Sequence, residues 1–432
     1  MLSSTLLATI IRIGTAATQL TDEACWPHAP NTAGGPLTAT PNTTPSYPKG
    51  EVGRVINQEF IISQCTVLSD PAIRRAGYDL CSLDGGWYSS LTDEFGRITY
   101  NASLFDIPAL SSNKSIHGTN VSVGSTFINH VDKNNNCYFD YENPDTQLYH
   151  DELIALWASW GVDMIKLDYV TLGSNVQDTR MPGNPSASAT AYHRAIEKSG
   201  RKIQLDVSSD VCRSQPYWGI WNPNADSIRV DTDINAYGSD VFVNMRHVQR
   251  TVEDYRQFSN LDNLFVGNPA NITGVTDKQR ITLMSIWIGA SSILLLGSDM
   301  TNLDNPGEWL ITSPSSIAAA DFCARYPMQP RNPETGSNRA MQLQAWIAGP
   351  DEHGEAYVLL TNLGPNLGDG GYVTAGGGEQ NVSVTLADLC LGGVLYSARG
   401  VWYGNVTTVK RRSSLSATLE EGESRFLRLT PV

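Results

Sequence analysis

The sequence predicts an α/β protein: a (β/α)8 barrel of the TIM type followed by a C-terminal antiparallel β domain. Three observations carry this. Between residues 51 and 306, short apolar strands alternate with helical stretches, the pattern of parallel βαβ units. Several of those strands end in charged groups, as barrel strands do where their C-terminal ends form an active-site rim. After about Pro306 the helical spacing gives way to strands between Gly-rich turns, the texture of a small β-sandwich. A doubly wound sheet is the rival arrangement, but no Gly-rich phosphate loop follows the first strand. The expected division is an N-terminal arm at 1–50, the barrel at 51–306, and a linker with the β domain at 307–432.

The elements follow in order. Residues 1–17 carry a short apolar run interrupted by Arg12 and lack an early basic residue, which makes a weak secretory signal. Residues 18–50 are rich in Pro, Thr, Gly and Ser and read as an irregular arm. Residues 55–76 are mostly helical in pattern. Gly77-Tyr78-Asp79-Leu80-Cys81-Ser82-Leu83-Asp84-Gly85-Gly86-Trp87 reads as a strand and then a loop. Residues 110–147 are polar, Asn-rich and carry no clear period. A helix at 146–160 leads into Met164-Ile165-Lys166-Leu167-Asp168, a buried strand that ends by presenting a cation and a carboxylate on one face. Helices near 189–199, 245–258 and 276–289 then alternate with strands near 202–208, 226–233, 264–268 and 291–299. Beyond them, strands are expected at 342–348, 356–361, 380–386, 394–402 and 426–429.

Composition limits the partners. The net charge of −14 disfavours nucleic acid and anionic membrane surfaces. Neutral polar ligands fit better, and abundant Trp and Tyr could stack on sugar rings. No apolar run is long enough to span a bilayer. The seven cysteines show no metal spacing, which disfavours a zinc site. No metal or cofactor is expected. Asn42, Asn101, Asn113, Asn120, Asn271, Asn381 and Asn405 each begin an N-x-S/T sequon, a density that points to secretion.

The strand ends gather Asp84, Lys166, Asp168, Arg229, Asp231, Asp233 and Asp262, with no His among them. No G-x-S-x-G or catalytic Cys motif is present, which removes support for acyl transfer. Paired carboxylates on a barrel rim with Trp nearby fit glycoside hydrolysis. Simpler roles stand beside these. Asp84 could cap a turn, Arg229 could pair structurally with Asp231 or Asp233, Asp262 could be a turn residue, and Trp87 could be core.

The ordered motifs resemble glycoside hydrolase family 27, the α-galactosidase and α-N-acetylgalactosaminidase family. Lys166-Leu167-Asp168 after Trp160-Gly161-Val162-Asp163 is similar to its nucleophile strand. Gly77-Tyr78-Asp79 through Asp84-Gly85-Gly86-Trp87 is similar to its second strand. Ile228-Arg229 through Asp233-Ile234 is similar to its acid/base motif, and Leu261 through Asn268, followed by Leu294-Leu295-Leu296-Gly297, to its D-P-D-M-L-x-V-G-N and later P-L-L-x-G motifs. The resemblance covers roughly residues 60–300. It implies Asp168 as nucleophile, Asp233 as acid/base with Asp231 as the competing choice, and Asp84, Trp87, Lys166, Arg229 and Asp262 as sugar contacts. It also implies Ser208 near the sugar 2-position. A small residue there is similar to the N-acetylgalactosaminidase arrangement, with Asp206 and Asp210 close enough to leave the register open. The implied reaction is retaining, exo-acting hydrolysis of α-linked galactose-type sugars. The sequence departs from the pattern at Gly85, Val170 and Ile228, lacks the first-strand signature, and shows no apolar strand between Trp87 and Lys166. An incomplete barrel, another α-glycoside specificity, and a carbohydrate-binding relative without turnover are therefore alternative expectations.

Overall fold

The structure is a computed structural model that describes residues 58–78, 80–82, 88–100, 115–131, 137–167, 186–208, 216–229, 259–331, 341–365 and 375–432. Helices α1 (Gln58–Val67) and α2 (Pro71–Arg75) open it. A disulfide joins Cys65 of α1 to Cys81. Two antiparallel hairpins follow, β1 (Tyr88–Thr92) with β2 (Ile98–Tyr100), and β3 (Phe127–Val131) with β4 (Cys137–Phe139). The second hairpin lies within 110–147, where sequence carried no period.

The parallel part runs α3 (Asp145–Ser159), β5 (Met164–Leu167), α4 (Ala187–Ser199), β6 (Gln204–Val207), α5 (Trp218–Asn224), β7 (Ser227–Arg229) and β8 (Ser259–Asn260). Its sheet order is β5-β6-β7-β8, every pairing parallel. A parallel bridge between Leu264 and Leu296 extends the same sense of pairing into the next segment. Helix α3 forms because Tyr149, Leu153, Ile154 and Trp157 recur on one face. Helix α4 stops at Gly200, whose φ of +69° lies in the left-handed region that ends helices. Ile165, Leu205, Val207 and Ile228 point from the strands into one apolar core with Leu153, Ile154, Ala195, Ile196 and Trp221. The opposite strand face is thereby left for polar groups.

Helices α6 (Ala270–Thr273) and α7 (Asp277–Gly289) come next. Thr276 and Gln279 form a reciprocal capping box at the start of α7. Helices α8 (Asn305–Thr312) and α9 (Pro314–Arg325) then occupy the stretch where a linker was expected. Sheet strands β9 (Gln329–Pro330), β10 (Leu343–Ala348), β11 (Ala356–Asn362), β13 (Leu395–Gly400), β14 (Val406–Lys410) and β16 (Glu423–Pro431) form one antiparallel sheet, with β12 (Gln380–Thr385) and β15 (Ser414–Leu419) paired beside it. Every residue of β11 is buried because each face meets a different core. Ala356, Val358 and Leu360 pack towards β12 and β15, while Tyr357 and Leu359 pack against α7 and α9 residues. The Trp402 indole N–H donates to Ser285 Oγ at 2.8 Å and Thr282 donates to Ser424 at 2.9 Å, which ties α7 to the β sheet.

His150 of α3 is fully buried among Phe139, Tyr141, Tyr149 and Tyr192. Its Nδ1 donates to the Thr146 carbonyl at 2.8 Å. Burial pulls its pKa down from 6.5 to about 4, against smaller opposing effects of that hydrogen bond and of Asp151. The folded state keeps the ring neutral while the unfolded chain binds a proton near 6.5. Acidification from pH 6.5 to 4 should therefore cost up to about 3 kcal/mol through this one group. His150→Phe is expected to flatten the slope of stability against pH in that window, measured by urea midpoints from pH 4 to 7. An unchanged slope would refute the assignment.

Candidate active site

The polar face of the parallel sheet is built by register. Lys166 of β5 lies opposite Asp206 of β6, Asp206 lies opposite Ser227 of β7, and Arg229 lies opposite Asn260 of β8. Residues two apart on a strand share a face, so Ser227 and Arg229 face the same way. Ser208 continues the Asp206 face just past the end of β6, its N–H donating to the Leu167 carbonyl at 2.9 Å. Lys166, Asp206, Ser208, Ser227, Arg229, Asn260 and Asp262 thus converge at the C-terminal ends of four adjacent strands.

Arg229 and Asp262 are both buried, at 1% and 5% exposure, and Arg229 Nη1 donates to Asp262 Oδ1 at 3.3 Å. Buried charges persist only when paired and hydrogen-bonded. Asp262 has φ of +70°, a left-handed conformation that costs a non-glycine residue free energy. Two hydrogen bonds hold it there. Its N–H donates to Asn260 Oδ1 at 2.8 Å, and its carbonyl accepts from Trp287 Nε1 at 3.1 Å. Asp206 is 1% exposed and accepts from Ser227 Oγ and, at 2.9 Å, from Asn260 Nδ2. Burial pushes its carboxyl up to about 6, with Ser227, Asn260, Lys166 and Arg229 working in the other direction. Its effect on stability is opposite in sign to that of His150, because acidification from pH 6 towards 4 relieves a buried charge. Ser208 is fully buried and its hydroxyl has no hydrogen-bond partner among the described residues.

The structure places Lys166, Ser208, Arg229 and Asp262 at neighbouring strand ends. Asp84, Trp87, Asp168, Asp231 and Asp233 lie outside the described residues. Between Trp87 and Lys166, where no apolar strand was expected, the described residues form two antiparallel hairpins and helix α3. No cluster of potential metal ligands occurs among the described residues. The other half of the Leu261–Asn268 motif is structural. Asn268 Nδ2 donates to the Asp299 and Asn302 carbonyls at 3.0 and 2.8 Å, while its Oδ1 accepts the Asp299 N–H at 2.8 Å. A Cβ at Gly267 would lie 2.6 Å from Leu303 and 2.7 Å from Ser298. Asn260 and Ser227 escaped sequence reasoning. Asp206 entered it only as a neighbour of uncertain register.

Residues 49–321 match the sequence model of the alpha galactosidase A family, more than half of the chain. The chain belongs to this family. A protein of Emericella nidulans provisionally named alpha-galactosidase 8 is 72% identical over 388 residues, covering 82% of this chain and 78% of that protein. Alpha-galactosidase 3 of Hypocrea jecorina is 42% identical over 422 residues, covering 89% of this chain and 67% of its own. Among solved structures, a glycoside hydrolase family 27 β-L-arabinopyranosidase from Geobacillus stearothermophilus superposes with a TM-score of 0.72 at 18% identity, covering 88% of this chain and 93% of that one. The α-galactosidase of Saccharomyces cerevisiae superposes with a TM-score of 0.61 at 17% identity over 87% of this chain and 94% of its own. At those identities the likeness establishes a shared fold. The family match and the two α-galactosidase relatives bear out the expected family, and the antiparallel C-terminal sheets agree with the expected β domain.

Proposed function

We propose that the protein is an exo-acting, retaining glycosidase that removes terminal α-linked galactose from oligo- or polysaccharides. The observation that carries this is the convergence of Lys166, Arg229 and Asp262 on one polar sheet face in a chain of the alpha galactosidase A family. The relatives from Emericella nidulans and Hypocrea jecorina bear α-galactosidase names, which supports the substrate class. In this reading the parallel strands belong to a closed (β/α)8 barrel, and Asp168 and Asp233 complete the site. Asp168 attacks the anomeric carbon while Asp233 protonates the leaving oxygen. Asp233 then deprotonates the water that releases the sugar. Asp84, Trp87, Lys166, Arg229 and Asp262 grip the sugar, and Ser208 faces its 2-position. Lys166 keeps its neighbour Asp168 ionised.

A second specificity has its own support. A buried Ser208 hydroxyl without a partner is ready to meet a ligand's polar group, and its small volume leaves room for an N-acetyl substituent. The test is a side-by-side assay of nitrophenyl α-galactoside, α-N-acetylgalactosaminide and β-L-arabinopyranoside, with the released anomer followed by NMR. We expect α-galactose as the first product. Inversion would remove Asp168 as nucleophile, and a preference for the N-acetylated substrate would replace the first specificity with the second. Sugar binding without turnover on any of the three would leave a carbohydrate-binding protein. The site of action in this reading is extracellular. Asn120, Asn271, Asn381 and Asn405 are all exposed, as glycan acceptors must be, and the Cys65–Cys81 disulfide suits an oxidising compartment. A gel shift of secreted protein on removal of N-glycans checks this; its absence counts against it.

A further inference from the structure

Asp206 has the environment of a working residue but no role in the reaction scheme above. It sits centrally in the sheet, with Lys166 across one strand boundary and Ser227 across the other. One carboxylate oxygen accepts from Ser227 Oγ and the other from Asn260 Nδ2 at 2.9 Å. A carboxylate can only accept and a backbone N–H can only donate, so the Asn260 amide has one consistent orientation. Nδ2 faces Asp206, and Oδ1 is left for the Asp262 N–H at 2.8 Å. That last bond helps to hold Asp262 at φ of +70°, the conformation in which its carboxylate meets Arg229.

We propose that Asp206 is a positioning residue for the sugar-binding rim: through Asn260 it fixes Asp262 in its left-handed turn and so aims the Asp262 carboxylate and its Arg229 partner. The assignment of Asp262 and Arg229 to sugar binding rests on the function proposed above; the hydrogen-bond relay itself does not. Apolar residues at 206 and 260 could fill the same space, so packing alone does not call for an acid and an amide here. The relay does, because Asn260 must accept on one side and donate on the other.

The relay can be reversed without changing its shape. Asn260→Asp alone sets two carboxylates against each other across a 2.9 Å contact. It is expected to lower kcat/KM on nitrophenyl α-galactoside by roughly 100-fold, the scale of a displaced binding group. The swap Asp206→Asn with Asn260→Asp restores every bond: the new amide at 206 donates to the new acid at 260, which accepts the Asp262 N–H. It should recover at least about tenfold of the loss, a coupling that independent sites would not show. All rates are taken well below each variant's melting temperature. A merely structural role would lower that temperature and leave kcat/KM of the folded fraction unchanged, which would overturn the proposal, as would a swap that fails to recover activity. Crystal structures of the single and swapped variants give a readout that needs no turnover. Asp262 should leave the left-handed region in Asn260→Asp and return in the swap; a φ that stays put in the single variant overturns the relay. If wild type hydrolyses no α-glycoside while Asp262 moves as expected, the functional reading fails and the relay stands.

Discussion

Asp168→Asn is expected to reduce turnover of any α-galactoside by roughly a thousandfold or more, because the amide is the same size but is no nucleophile. The loss should not depend on the leaving group. Attack at the anomeric carbon fails before the leaving oxygen matters. Asp233→Asn should behave differently. Its missing proton is costly for a sugar or alkyl leaving group and nearly irrelevant for nitrophenolate, which departs without help. The ratio of kcat/KM between nitrophenyl α-galactoside and an unactivated oligosaccharide should therefore rise by roughly tenfold or more in Asp233→Asn and stay level in Asp168→Asn. Asp231→Asn run beside them settles which of the two neighbouring acids is the proton donor. If the ratio rises for Asp231 and not Asp233, the roles exchange. Turnover in Asp168→Asn at the wild-type rate would remove Asp168 as the nucleophile of a retaining mechanism.

The parts of this fold that were legible in sequence are those where one period runs long enough. Helices α3, α4 and α7 span 15, 13 and 13 residues. Their apolar stripes and caps therefore accumulate signal. Strands β10, β11 and β16 were visible as apolar runs. Strand β14 was missed because it exposes four of its five residues. With one buried side chain there is no alternation to see. Strand β8, two residues long, offered too little pattern. Helices α8 and α9 were written off as linker although Asp304 followed by Asn305 and Pro306 is a start signal, a capping acid with Pro in the first turn. At the site, Lys166, Arg229 and Asp262 stood out because charges at strand ends are unusual. Ser227 and Asn260 did not, because their partner Asp206 lies 21 and 54 residues away and meets them only through sheet register. A Ser or Asn in a short strand has no sequence signature that separates it from a turn residue. A turn at Asp262 was among the sequence readings, but its left-handed sense was not, since Asp tolerates many loop conformations.

Arg280→Met is expected to lower stability by about 1–3 kcal/mol, the cost of leaving hydrogen-bond acceptors around a buried guanidinium without their donor. The guanidinium has no solvent exposure. Its Nε donates to the Val266 carbonyl at 2.8 Å, Nη1 reaches Asp277 and Asp304 at 2.9 Å each, and Nη2 reaches the second Asp304 oxygen. Burial works to raise the Asp304 carboxyl, but Arg280 and the Gly307 amide outweigh it and keep it below its ordinary value. Asp304 also accepts the Gly307 N–H at 2.7 Å as the cap of α8. One side chain therefore connects α7, the start of α8 and the strand segment that carries Asp262. Removing it leaves the carbonyl of buried Val266 without its donor and the part-exposed Asp304 carboxylate without its counter-ion. The test that separates an orphaned charge from simple lost packing is Arg280→Met combined with Asp304→Asn, which removes the charge but keeps a side-chain oxygen to cap α8, followed by urea unfolding at pH 7. With the carboxylate gone as well, the double variant should be more stable than Arg280→Met by at least about 1 kcal/mol, even though it carries one more substitution. Additive losses would mean that Arg280 acts through its bulk. Because the Val266 carbonyl lies four residues beyond Asp262, the same variant should also lose sugar affinity before it unfolds, seen as a raised KM at temperatures where its circular dichroism is still native.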